Sequence, residues 1–281
     1  MRLYLLPIST RRTLIYAQRL HVTTAENDPG LLNKAVSAAA RLWTRWEARD
    51  KGWQKKVVDY GNHAMRRIPY EEWGLKSVPP LSVRRKTEEL QGTEKVELVF
   101  PGKIVPLTKA EAIARTLATE REAVHRKSMI WCVVGMPITI PFALVPVIPN
   151  LPFFYLVFRA WSHWRAITGG RHIKWLIDRK LLQPSPSETL DKLYGCEEGQ
   201  ALTHGIAGEE KEGKEEMLLT EKQARSFSDE LEMPSLALEL ERAIWQVEEA
   251  IKKDEGATAA DTTTHTSTSP EKTGPTKEKE S

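Results

Sequence analysis

The sequence predicts a mainly α-helical integral membrane protein: a proline-rich membrane helical hairpin with amphipathic flanking helices, one small β-hairpin and a disordered C-terminal tail. Three observations predict it. Ser128 to Phe158 is a run of 31 residues without Asp, Glu, His, Lys or Arg, and it contains five prolines. Basic residues and tryptophans flank the run on both sides. Outside it, apolar residues recur at helical spacing in several long segments.

In chain order, residues 1–26 form an Arg-rich opening with Arg2, Arg11, Arg12 and Arg19 and no acidic residue before Glu26. That composition suits a mitochondrial targeting element. With Thr10 as cap, a helix through His21 puts Leu14, Tyr16, Ala17 and Leu20 broadly opposite the arginines, although Ile15 spoils the separation. The competing reading is a buried strand, Leu3 to Ile8, broken by Pro7 and followed by a short helix.

Residues 27–127 read as a basic helical region. After the turn cluster Asn27, Asp28, Pro29 and Gly30, the residues Leu32, Val36, Ala39, Trp43 and Trp46 mark one helical face, extended by Trp53. Tyr60 to Pro80 reads as short turns and a linker, and Ser82 to Lys86 as a basic patch. The alternating KVELVF, Lys95 to Phe100, followed by Pro101, Gly102 and KIVPL, predicts a β-hairpin near 95–107. Thr108 and Glu111 form a capping-box pattern, so a helix begins there and is expected to run on into the apolar segment. His125 on that helix reads either as a proton-responsive group or as one more polar residue at a boundary. Helical spacing places only Glu122 and Arg121 beside it.

As a single helix, Ser128 to Phe158 would be about 46 Å long, against a hydrocarbon core of about 30 Å. The cluster Pro146, Pro149, Asn150 and Pro152 is therefore read as a hairpin turn, with Pro137 and Pro141 as kinks in the incoming arm. The membrane hairpin takes residues 128–167, and Trp131, Trp161, Trp164, Arg126, Lys127, Arg159 and Arg165 are its interface anchors. A single kinked span and a buried pair of helices in a soluble core are the alternatives.

Beyond the hairpin, Gly169 and Gly170 break the chain, and residues 168–194 hold a short amphipathic membrane-surface helix ended by Pro184 and Pro186. Residues 195–253 are acidic, with helices near Thr220 to Leu231 and Pro234 to Lys253. In the second of these, Leu236, Leu240, Ile244, Val247 and Ile251 form a face that needs a partner. Residues 254–281 read as a disordered tail.

Charge follows the same division. The 41 basic and 38 acidic residues nearly cancel, yet residues 1–127 carry 24 basic and 14 acidic side chains and residues 181–281 carry 11 and 23. A basic front, an apolar segment and an acidic back point to membrane orientation rather than to nucleic acid, for which no binding motif is present. The two cysteines, Cys132 and Cys196, make no CxxC pair, and no histidine cluster stands at ligand spacing, so a zinc site has no support in the sequence. No nucleophile elbow or phosphate loop suggests an enzyme or a cofactor.

Two long stretches, MRLYLLPISTRRTLIYAQRL and WCVVGMPITIPFALVPVIPNLPFFYLVFRAWSHWRA from Trp131 to Ala166, resemble the fungal family described as mitochondrial potassium/proton exchange-related. The resemblance covers about residues 1–185. It implies the mitochondrial inner membrane, a role in matrix potassium and volume homeostasis, and an N-terminus that belongs to the fold. The uncharged run itself offers only Ser128, Cys132, Thr139, Asn150, Tyr155 and proline-freed carbonyls to a cation, too little for an exchanger acting alone. Three functions follow: a component or regulator of exchange within a homo-oligomer or larger inner-membrane complex; a non-transport membrane scaffold or cristae-shaping anchor; or the antiporter itself as a homo-oligomer. The partners are then the lipid bilayer and, if the chain transports, potassium and protons.

Overall fold

The N-terminal residues enter a sheet rather than a targeting helix. In a computed structural model describing residues 1–18, 41, 44–49, 51–92, 96–141, 151–195 and 214–264, β1 (Arg2–Pro7) and β2 (Thr13–Gln18) form an antiparallel hairpin with Leu5 opposite Ile15. Its tight turn is closed by Ile8 N–H donating to Arg12 O at 2.8 Å, while the Ser9 hydroxyl accepts from the Arg12 amide at 3.0 Å. This corrects the helix expected from Thr10 to His21.

The run LYLLP reads as continuously apolar because β1 is covered on both faces. Leu3, Leu5, Ile15 and Ala17 point into one core, and Tyr4, Leu6, Leu14 and Tyr16 into the other. β3 (Val96–Phe100) lies parallel to β1, and β4 (Leu182–Pro186) parallel to β3, so the sheet order is β2-β1-β3-β4. The alternation in KVELVF is thus a strand, but the β-hairpin expected near 95–107 is not formed. Pro101 O accepts from the Ile104 and Val105 amides and turns the chain into a helix, so β3 finds its partners far away in sequence. Pro184 and Pro186 fall on the edge strand β4, where a missing N–H is tolerated.

The helices before and between the last strands are α1 (Trp53–Arg66), α2 (Tyr70–Ser77), α3 (Val83–Leu90), α4 (Leu107–Thr119), α5 (Glu122–Ile138) and α6 (Leu151–Asp178); of these, α2, α4 and α6 supply the core on the Leu3 side of the sheet. The turns expected over Tyr60–Pro80 are largely helical, as α1 and α2. Ser82, the first residue of the basic patch, caps α3 by accepting from the Arg85 amide at 3.2 Å. α4 does begin near the capping-box pattern, but it stops at Thr119 and α5 starts afresh at Glu122.

The opposite layer comprises α7 (Glu188–Leu193), α8 (Glu221–Glu230) and α9 (Pro234–Thr264). Leu236, Leu240, Ile244 and Val247 of α9 pack on the Tyr4 side of the sheet, so the body of the protein supplies the partner that this face requires. α9 runs to Thr264, eleven residues into the segment expected to be disordered. Residues beyond 264, and Leu32 through Trp43 of the tryptophan stripe apart from Arg41, lie outside the described residues.

The glycine pair does not break α6. A Cβ at Gly169 would stand 2.1 Å from Leu75 O, and one at Gly170 would stand 2.4 Å from Ala118 O, so these glycines let the backbones of α2 and α4 press against one continuous helix. Gly74 plays the same part toward Ile15 O of β2, at 2.2 Å. The segment predicted as a surface helix is therefore the core end of α6, with Ile173, Leu176 and Ile177 buried.

These elements overturn the predicted fold class. Among the described residues no helix is long and apolar enough to cross a membrane. The uncharged run is divided: Met129–Ile138 completes α5, whose first turns are charged, and Leu151–Phe158 begins α6, which then carries Arg159, Arg165 and Arg171 into the body. The chain is a mixed α/β protein with a four-stranded sheet between helical layers. Pro137 sits in the last turn of α5, where the Thr139 hydroxyl donates to Met136 O at 2.7 Å, and Pro141 follows in a short helical turn. Pro152, expected in the hairpin turn, is the second residue of α6, a position where its missing N–H is harmless. Pro146, Pro149 and Asn150 lie outside the described residues.

Candidate functional site

Where α5 and α6 leave the body, three helices bring together a buried polar cluster. α2 contributes Glu72, α5 contributes His125, and α6 contributes Arg159, Ser162 and His163 at consecutive-turn spacing. Arg159 grips Glu72 with both guanidinium ends, Nη1 to Oε1 at 2.8 Å and Nη2 to Oε2 at 3.2 Å. The Ser162 hydroxyl donates to Glu72 Oε1. The His125 and His163 Nδ1 atoms are 3.1 Å apart, and Glu72 Oε2 lies 3.5 Å from His163 Nδ1 and 4.0 Å from His125 Nδ1.

Donor accounting fixes where the protons sit. Arg159 can only donate, and its Nη2 is 3.1 Å from His163 Nε2, so that nitrogen must accept. A neutral His163 then carries its proton on Nδ1 and donates it to His125 Nδ1. His125 in turn carries its proton on Nε2, which is buried without a hydrogen-bond partner. The charges of the cluster cancel between Glu72 and Arg159, and both imidazoles are neutral. Burial is the main force acting on the rings. It pushes His163 down to about 4 and lowers His125, with the Glu72 carboxylate opposing and Arg159 reinforcing the effect in both.

Next to this cluster, Lys76 turns inward from the following turn of α2. Its Nζ is 3.3 Å from the Trp73 ring centre, and the Phe158 and Trp161 rings lie at 5.2 and 5.5 Å. The ammonium is buried with no hydrogen-bond partner, so aromatic faces replace water around it. Desolvation brings its pKa to about 8, with Glu72 and Glu239 resisting the shift. Arg242 of α9 also stands over Trp73, 4.4 Å from its ring centre, and is itself paired with Glu239, whose own pKa is raised by burial. A second buried node holds α3 to α6: His172 Nδ1 faces Pro79 O at 2.8 Å and Nε2 faces both Glu89 oxygens at 3.0 Å.

The predicted anchors divide between these surroundings. Trp131, Trp161 and Trp164 are exposed, as are Arg126 and Lys127. Arg159 turns inward to Glu72, and Arg165 donates to the Lys76 and Val78 carbonyls at 3.0 and 3.4 Å. Little in the sequence marks Glu72, Lys76, Ser162 or His163. The one local hint is the Arg159/His163 spacing of four on a helix; Glu72 lies 87 residues before Arg159, in a stretch that reads as a linker.

Every member of the cluster falls inside residues 2–177, and that span matches a protein-family model described as mitochondrial K+-H+ exchange-related. The chain belongs to the mitochondrial K+-H+ exchange-related family. Relatives of this exchange-related chain include an uncharacterised protein of Saccharomyces cerevisiae, 26% identical over 89% of this chain and 85% of its own length. Another is an uncharacterised protein of Schizosaccharomyces pombe, 29% identical over 68% of this chain and 82% of its own. No solved structure matches. The family description associates the chain with mitochondria and with K+-H+ exchange. The matched span runs from β1 almost to the end of α6, and α8 and α9 lie beyond it.

Proposed function

We propose that the chain is a component or regulator of K+/H+ exchange at the mitochondrial inner membrane, supporting matrix cation and volume homeostasis, and that it meets the anionic bilayer surface through α5 and the start of α6. The observation that carries this reading is the exposed apolar face of that helix pair. Ile130, Trp131, Val134 and Ile138 on α5 and Phe154 on α6 are each more than half exposed, although each is a residue type usually withdrawn from water. Gly135 lets α5 lie against Leu156 of α6, so the pair presents these residues outward instead of burying them between its own helices.

Charge selects the occupant. Arg126 and Lys127 are exposed at the body end of the same helix, so tryptophan and aliphatic side chains are followed by cations along one surface. That order suits an interface where apolar groups reach acyl chains while Lys and Arg meet anionic headgroups. The contact is interfacial, and the site at its root belongs to the protein body.

The test is swelling of mitochondria in potassium acetate with and without this protein, followed by addition of an ionophore that exchanges potassium for protons. Impaired swelling that the ionophore restores is the expected result. A defect that persists with ionophore would replace this reading with a scaffold that shapes the membrane without touching exchange.

A further inference from the structure

We propose that Glu72, His125 and His163 form a binding site for one divalent transition-metal ion of the zinc class, held by Glu72 Oε2 and the two histidine Nδ1 atoms. Three helices converge to place these atoms. Their mutual separations are 3.1, 3.5 and 4.0 Å. Ligands around a tetrahedral zinc at about 2.0–2.1 Å stand about 3.3 Å apart, so a small contraction on the Glu72 side completes three corners of the tetrahedron. The fourth corner is left to water. Two imidazoles and one carboxylate favour zinc, cobalt or a similar ion over magnesium or calcium, which take oxygen ligands.

All three residues are almost fully buried, with exposures of 1% for Glu72, 4% for His125 and 5% for His163. Two features of the cluster favour occupation. The His125 Nδ1 already offers a lone pair and needs no rearrangement. The facing Nδ1 atoms share one proton between two basic nitrogens, and an ion satisfies both lone pairs at once.

Loading replaces the hydrogen bond between the two Nδ1 atoms and changes one further contact. The His163 proton moves from Nδ1 to Nε2, which makes Nε2 a donor facing Arg159 Nη2, and that guanidinium end turns wholly onto Glu72. Arg159 is thus a competitor as well as a neighbour. Its replacement by glutamine, whose carbonyl accepts from Nε2–H, supports the loaded state.

The experiment is titration of the chelator-treated full chain with Co2+, followed by visible absorption, with Zn2+ displacement to measure affinity. One equivalent of Co2+ should give the absorption of a tetrahedral site, and Zn2+ should abolish it. His163→Ala and His125→Gln should each weaken Zn2+ binding at least 100-fold, and Arg159→Gln should tighten it at least 10-fold. Lys76→Met, which leaves the three ligands in place, should leave the stoichiometry at one. Thermal denaturation of each variant without metal separates loss of ligands from loss of fold, and Zn2+ should raise the midpoint of the wild type but not of a folded His163→Ala. Absence of the cobalt spectrum, or binding that folded histidine variants retain, would overturn the site.

Discussion

Arg159 and Glu72, 87 residues apart, close a two-pronged ion pair in which Glu72 is 1% exposed and the Arg159 side chain 14%. This pair holds α2 to α6 where the apolar helix pair leaves the body. Removing one charge strands the other among buried groups, a loss that runs about 3–5 kcal/mol for buried pairs. Glu72→Ala should therefore destabilise the chain by several kcal/mol in urea unfolding. Arg159→Met added to it should recover part of that loss. A double variant no more stable than the single one would show that the pair is not coupled as the geometry requires.

Gly169→Ala should destabilise well beyond the usual helix-propensity change. The added methyl meets the Leu75 carbonyl, which is backbone and has no rotamer in which to retreat. Overpacking of this kind takes about 1–3 kcal/mol or more. Gly256→Ala is the matched control, since a Cβ there meets nothing within 4 Å, and it should stabilise α9 by up to about 1 kcal/mol. Thermal midpoints that move together for the two variants would contradict the close approach of α2 to α6.

Lys76 predicts a stability that increases with pH over one window. With the folded pKa near 8 and the ordinary value at 10.5, both states are protonated below 8 and the penalty of a buried ammonium is fully present. Between about 8 and 10.5 the unfolded chain keeps the proton that the folded chain has lost, so stability rises with pH, by on the order of 3 kcal/mol at most. Comparing unfolding curves of wild type and Lys76→Met isolates this contribution from Tyr70, whose raised pKa acts in the opposite direction. A difference that does not change with pH across the window would remove the buried ammonium.

The apolar face predicts binding to anionic vesicles, measured by co-sedimentation. Trp131→Glu combined with Val134→Glu should weaken that binding by 10-fold or more while leaving the unfolding free energy within about 0.5 kcal/mol of wild type, because both side chains are exposed. Equal binding to neutral and anionic vesicles would remove the contribution of Arg126 and Lys127. Concentration-dependent dimerisation without vesicle binding would assign the face to a second copy of the chain.

The uncharged run, its tryptophans, the helical periodicity of α9 and the strand alternation of Val96–Phe100 were all legible by themselves, because each is a local pattern matched to a local period. The same locality produced the wrong fold class. An apolar strand buried on both faces and an Arg-rich opening have similar composition, and only the pairing of Leu3 with Ala17 and Leu98 identifies the strand. Gly169 and Gly170 break helices by propensity, but in a packed helix they are the residues that let two other backbones approach. The candidate site was beyond any local pattern. Glu72, His125 and His163 come from three helices separated by long stretches of chain, and their chemistry arises from mutual distance, burial and the donor that Arg159 aims at His163. Sequence alone determined which side chains were available; tertiary packing decided that a glutamate from an apparent linker, a histidine at an apparent boundary and an apparent headgroup arginine would meet out of water.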